Sequence, residues 1–134
     1  MTIEQFIYGY LADEEVYKDN EYIIKEGSSG EWVYVVLEGQ VTVKKMTPKG
    51  LVTLDNLKEG DIFGEMILWQ SGKGVRTASV IADGRVKVGI LNIDQLRQDY
   101  ESISPRLKSV MSSLMKRLEA TTQKAVTKAV EMAC

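Results

Sequence analysis

The sequence predicts a mainly β domain of sandwich or barrel type, bracketed by helices. Short β-rich runs separated by turn residues fill the stretch from about Tyr17 to Leu91. Helical spacing of apolar residues occurs only before and after that stretch. The chain has 134 residues, 44% hydrophobic and 27% charged, which is the length and balance of one globular domain. At that size a chain buries roughly two-thirds of the surface it exposes when unfolded, enough for one core without disulfides or a structural metal.

Thr2 and Gln5 have the spacing of a capping box, and Ile3, Phe6, Ile7, Tyr10 and Leu11 then recur on one helical face. This predicts an N-terminal helix over 1–14 that covers one end of a sheet. Strands are expected over 22–25, 32–37, 40–46, 51–57, 77–82 and 85–91, within a β region spanning 15–91. The separators carry turn chemistry: Ser28-Ser29-Gly30, Glu38-Gly39, Pro48-Lys49-Gly50, Glu59-Gly60 and the hairpin signal Asp83-Gly84. Adjacent strands are therefore expected to be antiparallel. Val41 and Val43, and Val86, Val88 and Ile90, alternate with polar or small residues and predict strands with one face on a core. The run 32–37 is apolar throughout and reads as a central strand buried on both faces.

Helices are expected again over 92–134. Asn92 is placed to cap the first, and Ser104-Pro105 supplies the cap and first position of the second. In the second, Leu107, Met111, Leu114, Leu118, Thr121 and Ala125 follow a 4-3-4-3-4 spacing, which suits a coiled-coil seam or a helix lying on the β region. Arg106, Lys108, Lys116, Arg117, Lys124 and Lys128 fit its solvated side.

Composition excludes several functions. Cys134 is the only cysteine, so neither an intrachain disulfide nor a cysteine-rich zinc site is expected, and a reducing cytosol fits. The N-terminus lacks a signal-peptide layout and no apolar run approaches the roughly 18 residues of a membrane helix, so a cytoplasmic protein without membrane attachment is expected. The formal charge of −2 argues against direct nucleic-acid binding. The chain has no histidine, the commonest general base and metal ligand. No catalytic residue, metal or cofactor is expected. Asp61 and Glu65 are a conceivable carboxylate pair, but Asp61 reads better as the cap of the turn after Gly60.

The stretch from Phe63 to Val80 interrupts the strands. In Phe63-Gly64-Glu65-Met66-Ile67-Leu68-Trp69 a short apolar helical turn follows a glycine, and the unpaired N–H groups at such a start hold an anion. After Gln70-Ser71-Gly72-Lys73-Gly74-Val75 comes Arg76-Thr77-Ala78-Ser79-Val80, where Arg76 offers phosphate a planar, permanently charged fork. Glu65 is an acceptor suited to a ribose hydroxyl. Spacing alone equally allows Glu65 and Arg76 to form an ion pair across a loop.

This segment resembles the phosphate-binding cassette of cyclic-nucleotide-binding domains, whose pattern is F-G-E, an apolar turn, then R-[TA]-A-[ST]-V. The likeness spans roughly residues 21–95, because Gly30, the run from Tyr34 to Gly39, and Leu57 through Gly60-Asp61 fall in the family's order. The resemblance implies an eight-stranded antiparallel β-roll, a double-stranded jelly roll, with an N-terminal helix, two C-terminal helices and a cassette over 63–78. It implies Glu65 on the ribose hydroxyl, and Gly64 with the backbone near Met66 and Ile67 on sugar and phosphate. Arg76 would take the phosphate, with Thr77 and Ala78 beside phosphate and base. The Arg-Thr-Ala-Ser-Val run is similar to that of cyclic-nucleotide-gated channels and cyclic-GMP-dependent kinases. It admits cyclic AMP or cyclic GMP, with cyclic AMP ranked first.

The resemblance implies a sensor whose C-terminal helices relay ligand binding to an effector protein or a homodimer, the latter through Leu107, Met111, Leu114 and Leu118. Two features depart from the family pattern. Ile67 stands where alanine or serine is usual, and Gly72-Lys73-Gly74 lengthen the loop before Arg76. These departures support the alternative, a degenerate non-binding domain that serves as a dimerisation scaffold. A helix-turn-helix after the long helix, as in the bacterial catabolite-activator family, is not expected.

Overall fold

A computed structural model of the chain describes residues 8–64 and 75–132. Thr2, Ile3, Gln5, Phe6 and Ile7, the start of the expected N-terminal helix, lie outside the described residues. A 3-10 turn at Tyr8–Tyr10 leads directly into strand β1, Leu11–Tyr17. Residues 11–14 are thus strand where helical spacing places a helix, and the β region begins at Leu11. The cause is tertiary. β1 pairs antiparallel with the last strand along its length, from Leu11 opposite Leu91 to Tyr17 opposite Val86. Leu11 fills the space over Gly89, where a Cβ would come within 2.3 Å of its Cδ1. A ladder on a buried strand outweighs one turn of amphipathic spacing.

The remaining strands are β2 (Tyr22–Ile24), β3 (Val33–Thr47), β4 (Gly50–Lys58), β5 (Ile62–Phe63) and β6 (Ser79–Leu91). The sheet order is β1-β6-β3-β4, with β2 also on β6 and β5 also on β3, and every pairing is antiparallel. The mainly antiparallel β architecture followed by two helices is the expected one. The strand boundaries differ in one respect. Two expected turns are absorbed into the long strands β3 and β6, and six strands stand among the described residues.

Glu38-Gly39 is a bulge inside β3, with register shifts on both sides of Glu38. Gly39 has φ +85°, and a Cβ there would meet the Arg85 carbonyl at 2.6 Å, so only glycine lets the two strands stay together at the bend. Asp83-Gly84 is likewise a bend in β6 rather than a hairpin. Asp83 accepts from Gln40 Nε2 at 2.8 Å, and the Gly84 N–H donates to Asp19 Oδ1 at 2.7 Å. The partners that would have closed a hairpin are taken by β3 and by the β1–β2 turn.

Val33 through Val36 are buried on both faces of β3, as the apolar run predicts. Tyr34 and Val36 join Ile24, Val41, Phe63, Val80, Val86, Val88 and Ile90 in the main core. Val33 and Val35 point the other way, with Leu91, against Tyr10, Leu11, Ile62, Ile93 and Leu96. Trp32 departs from the expectation: it precedes the strand and is 53% exposed.

Helix α1 is Ile93–Ser102, and the Asn92 side chain accepts from the Gln95 N–H at 3.0 Å, the predicted cap. Helix α2 is Pro105–Met132, with the Ser104 hydroxyl accepting from the Leu107 N–H at 3.2 Å. Tyr10 ties the start of β1 to α1 twice. Its carbonyl accepts from the Asn92 N–H at 2.7 Å, and its hydroxyl donates to Asp99 Oδ2 at 2.6 Å. The Asp99 bond holds the Tyr10 hydroxyl above the usual tyrosine range.

Candidate functional site

Arg76 is the centre of the site. It precedes β6, where the chain runs beside the loop after β2. The Arg76 N–H donates to the Ser28 carbonyl at 2.9 Å, the Gly27 N–H donates to the Arg76 carbonyl at 2.8 Å, and Ser29 bridges to Val75. Its side chain is buried, 7% exposed, and aimed at the start of β3. Nη2 donates to the Trp32 carbonyl at 2.6 Å and Nη1 to the Gly64 carbonyl at 3.1 Å. Two carbonyls from different segments therefore fix the plane of the guanidinium. This is a pre-set cation rather than a mobile one.

Gly64 packs against this arrangement. Its φ is +81°, and a Cβ would lie 3.0 Å from the Trp32 carbonyl oxygen and 3.1 Å from Arg76 Nη1. A side chain at 64 would push the guanidinium off its seat. Tyr34 stacks on Phe63 with ring centroids 5.0 Å apart. Burial pushes the Tyr34 hydroxyl up and Glu15 adds to that, while the positive charge of Arg76 pulls it down.

Arg76, Thr77, Ala78 and Gly64 all line one cavity of about 870 Å³. β2 and β3 contribute Ile24 and Val43, β4 contributes Leu54, Asp55 and Leu57, β5 contributes Ile62 and Phe63, and α2 closes it with Lys116, Leu118–Gln123 and Ala125. Apolar walls, a few convergent polar groups and a volume within roughly 300–1,000 Å³ are the features of small-molecule sites. A second cavity, about 490 Å³, lies between Tyr10, Leu96, Tyr100, Ile103 and Met111 at the α1–α2 junction. It holds none of the cassette residues.

Of the residues singled out in the sequence, Gly64, Arg76, Thr77 and Ala78 come together around the larger cavity. Glu65, Met66 and Ile67 lie outside the described residues, as do Gly72, Lys73 and Gly74. Asp61 closes the Lys58–Asp61 turn, its carboxylate accepting from the Lys58 N–H at 3.0 Å. Among the described residues no group of three or more His, Cys, Asp or Glu side chains could hold a metal. Nor, among them, is any helix long and apolar enough to cross a membrane.

Sequence reasoning missed the carbonyls of Trp32 and Gly64 and the α2 residues at the cavity. Main-chain acceptors leave no residue-type signal. The α2 repeat was visible, yet its spacing left open whether Leu118, Thr121 and Ala125 face a second helix or the roll. They line the cavity.

A family model for the cyclic nucleotide-binding domain matches residues 14–102. The cyclic nucleotide-gated channel beta-1 of Homo sapiens is 39% identical over 84 residues, covering 62% of this chain and 7% of the channel. The potassium/sodium hyperpolarization-activated cyclic nucleotide-gated channel 2 of Mus musculus is 30% identical over 110 residues, covering 82% of this chain and 12% of the channel. Among solved structures, the cGMP-bound form of the EAL enzyme Bd1971 has a TM-score of 0.73 at 30% identity, over 86% of this chain and 30% of that one. Its cAMP-bound form has a TM-score of 0.74 at 28% identity, over 89% and 30%.

The β fold, with a buried arginine beside a cavity that a helix closes, agrees with the architecture of that family of domains. The chain belongs to the cyclic nucleotide-binding domain family. It spans only a small part of the length of the channels it matches.

Proposed function

We propose that this chain is a cytoplasmic sensing module that binds cyclic AMP or cyclic GMP in the larger cavity and relays occupancy through α1 and α2 to an effector protein or a second copy. The observation that carries the reading is the buried Arg76 guanidinium, held in plane by two carbonyls at a cavity of nucleotide size. Arg76 takes the cyclic phosphate. Gly64 and the backbone near Met66 and Ile67 meet sugar and phosphate, Glu65 accepts from the ribose 2′-hydroxyl, and Thr77 and Ala78 stand beside phosphate and base. The relay requires that ligand bind one arrangement of the helices better than another. The module is a binder and not a catalyst, since a chain without histidine lacks the usual acid–base and metal-site chemistry. Nucleic acid and membrane are not partners in this reading.

Isothermal titration with cyclic AMP and cyclic GMP tests it. Wild type is expected to bind at least one, with Arg76→Ala losing about 100-fold in affinity, the scale of charge-assisted bonds to phosphate. A folded wild type that releases no heat with either would end the reading.

One observation favours a second reading. Leu107, Leu114 and Leu118 on α2 are 47%, 56% and 44% exposed, an apolar stripe of the kind that joins two copies. A dimerising scaffold without ligand would be monomeric as Leu114→Asp and indifferent to both nucleotides.

A further inference from the structure

The β3–β6 ladder ends with Lys44 opposite Ser79. Beyond that pair, Thr77 is held by a side chain. Lys45 Nζ donates to the Thr77 carbonyl at 2.7 Å and to Glu26 Oε2 at 3.2 Å. Glu26 is itself fixed, with Oε1 accepting from the Met46 N–H at 2.9 Å and its own N–H donating to the Ser79 hydroxyl at 2.9 Å. Both Lys45 and Glu26 are largely covered, at 22% and 27% side-chain exposure. The clasp thus joins the loop after β2, the end of β3 and the strand entering β6. Thr77 and Ala78 line the cavity, and Lys45 is not among the lining residues.

Arg76 has separate anchors in Ser28, Gly27 and the carbonyls of Trp32 and Gly64. The Arg76–Thr77 peptide is anchored by the Gly27 N–H on the Arg76 carbonyl and the Thr77–Ala78 peptide by Lys45, and fixing both units fixes the Cα–Cβ direction of Thr77 and so the reach of its exposed hydroxyl. Guanine carries an exocyclic amino donor that adenine lacks at the same ring position, so a fixed hydroxyl can separate the two bases.

We propose that Lys45, oriented by Glu26, is a positioning residue that sets the Thr77–Ala78 peptide and thereby the preference of the site between guanine and adenine nucleotides. The proposal rests on the cyclic-nucleotide reading above. Lys45→Met keeps the apolar stem and removes the donor. It is expected to weaken cyclic GMP about tenfold, the scale of one hydrogen bond, while cyclic AMP changes less than about twofold. Lys45→Arg restores the ratio. In a Thr77→Ala background, Lys45→Met should cost cyclic GMP nothing more, because its effect passes through Thr77.

Equal weakening of both nucleotides, or losses that simply multiply in the double variant, would overturn base discrimination. Backbone carbonyl carbon shifts of ligand-free protein test the positioning by themselves. Lys45→Met should move the Thr77 carbonyl carbon upfield, as an acceptor that loses its donor does, and leave that of Ser28, bonded to the Arg76 N–H, in place. An unchanged Thr77 carbonyl shift would overturn the positioning role. Wild type binding neither nucleotide would overturn the ligand assignment and base discrimination with it, and the carbonyl shift would still decide the clasp.

Discussion

Arg76 has a structural job and, in the proposed function, a ligand-binding one, and the two can be separated. As a structural group it satisfies the Trp32 and Gly64 carbonyls. Arg76→Ala should therefore lower stability by about 2 kcal/mol in urea unfolding, as two acceptors lose their donor. Arg76→Lys keeps the charge but not the fork, so it should retain more stability than affinity. Tyr17 offers a second test at this scale. Burial raises its hydroxyl well above the usual tyrosine range, and the bond it donates to Glu15 raises it further. A proton held more tightly in the folded state gives stability that is complete below about pH 10 and is lost as pH rises toward the folded-state value. Thermal melts from pH 8 to 11 should show a steeper decline for wild type than for Tyr17→Phe.

The bends in β3 and β6 let strands long enough to span the roll turn without breaking. Gly39→Ala should cost about 2 kcal/mol, because the left-handed φ and the 2.6 Å approach to the Arg85 carbonyl both exclude a Cβ. A variant as stable as wild type in urea would contradict this account of the bulge. The elements also show where sequence reading stops. The caps at Asn92 and Ser104 and the buried run from Val33 to Val36 were legible, because each rests on local chemistry or periodicity. The fate of Glu38-Gly39 and Asp83-Gly84 was not. A glycine dipeptide signals a positive φ without saying whether the chain reverses or only bends. That depends on β3 and β6 pairing with each other, a contact far apart in sequence. Leu11 was misassigned to a helix for the same reason, since its slot over Gly89 lies on the last strand.

Across the whole molecule, the roll brings Gly64 and Arg76 to one cavity and α2 closes it, so a ligand bound there as proposed would stabilise the fold. At a ligand concentration 100 times Kd the folded state gains about 2.7 kcal/mol. For a domain of this size that corresponds to a rise in Tm of about 10 °C. Of the candidate site, Arg76 and Gly64 were legible as a charged fork and a turn glycine, whereas Thr77 and Ala78 were named only on the resemblance to the family's cassette; all four line the larger cavity. Lys45 and Glu26 were not legible, because a lysine and a glutamate 19 positions apart look like ordinary surface charges until β3 folds back over the loop after β2.

The most direct test of the central claim is to map backbone amide chemical shifts as cyclic AMP, and then cyclic GMP, is added to saturation. The account predicts that the largest changes fall at Gly64, Arg76, Thr77 and Ala78 and along 118–123 of α2, the residues that line the larger cavity. Shifts confined to Tyr10, Leu96 and Met111 around the smaller cavity, or no shifts with either nucleotide, would contradict it.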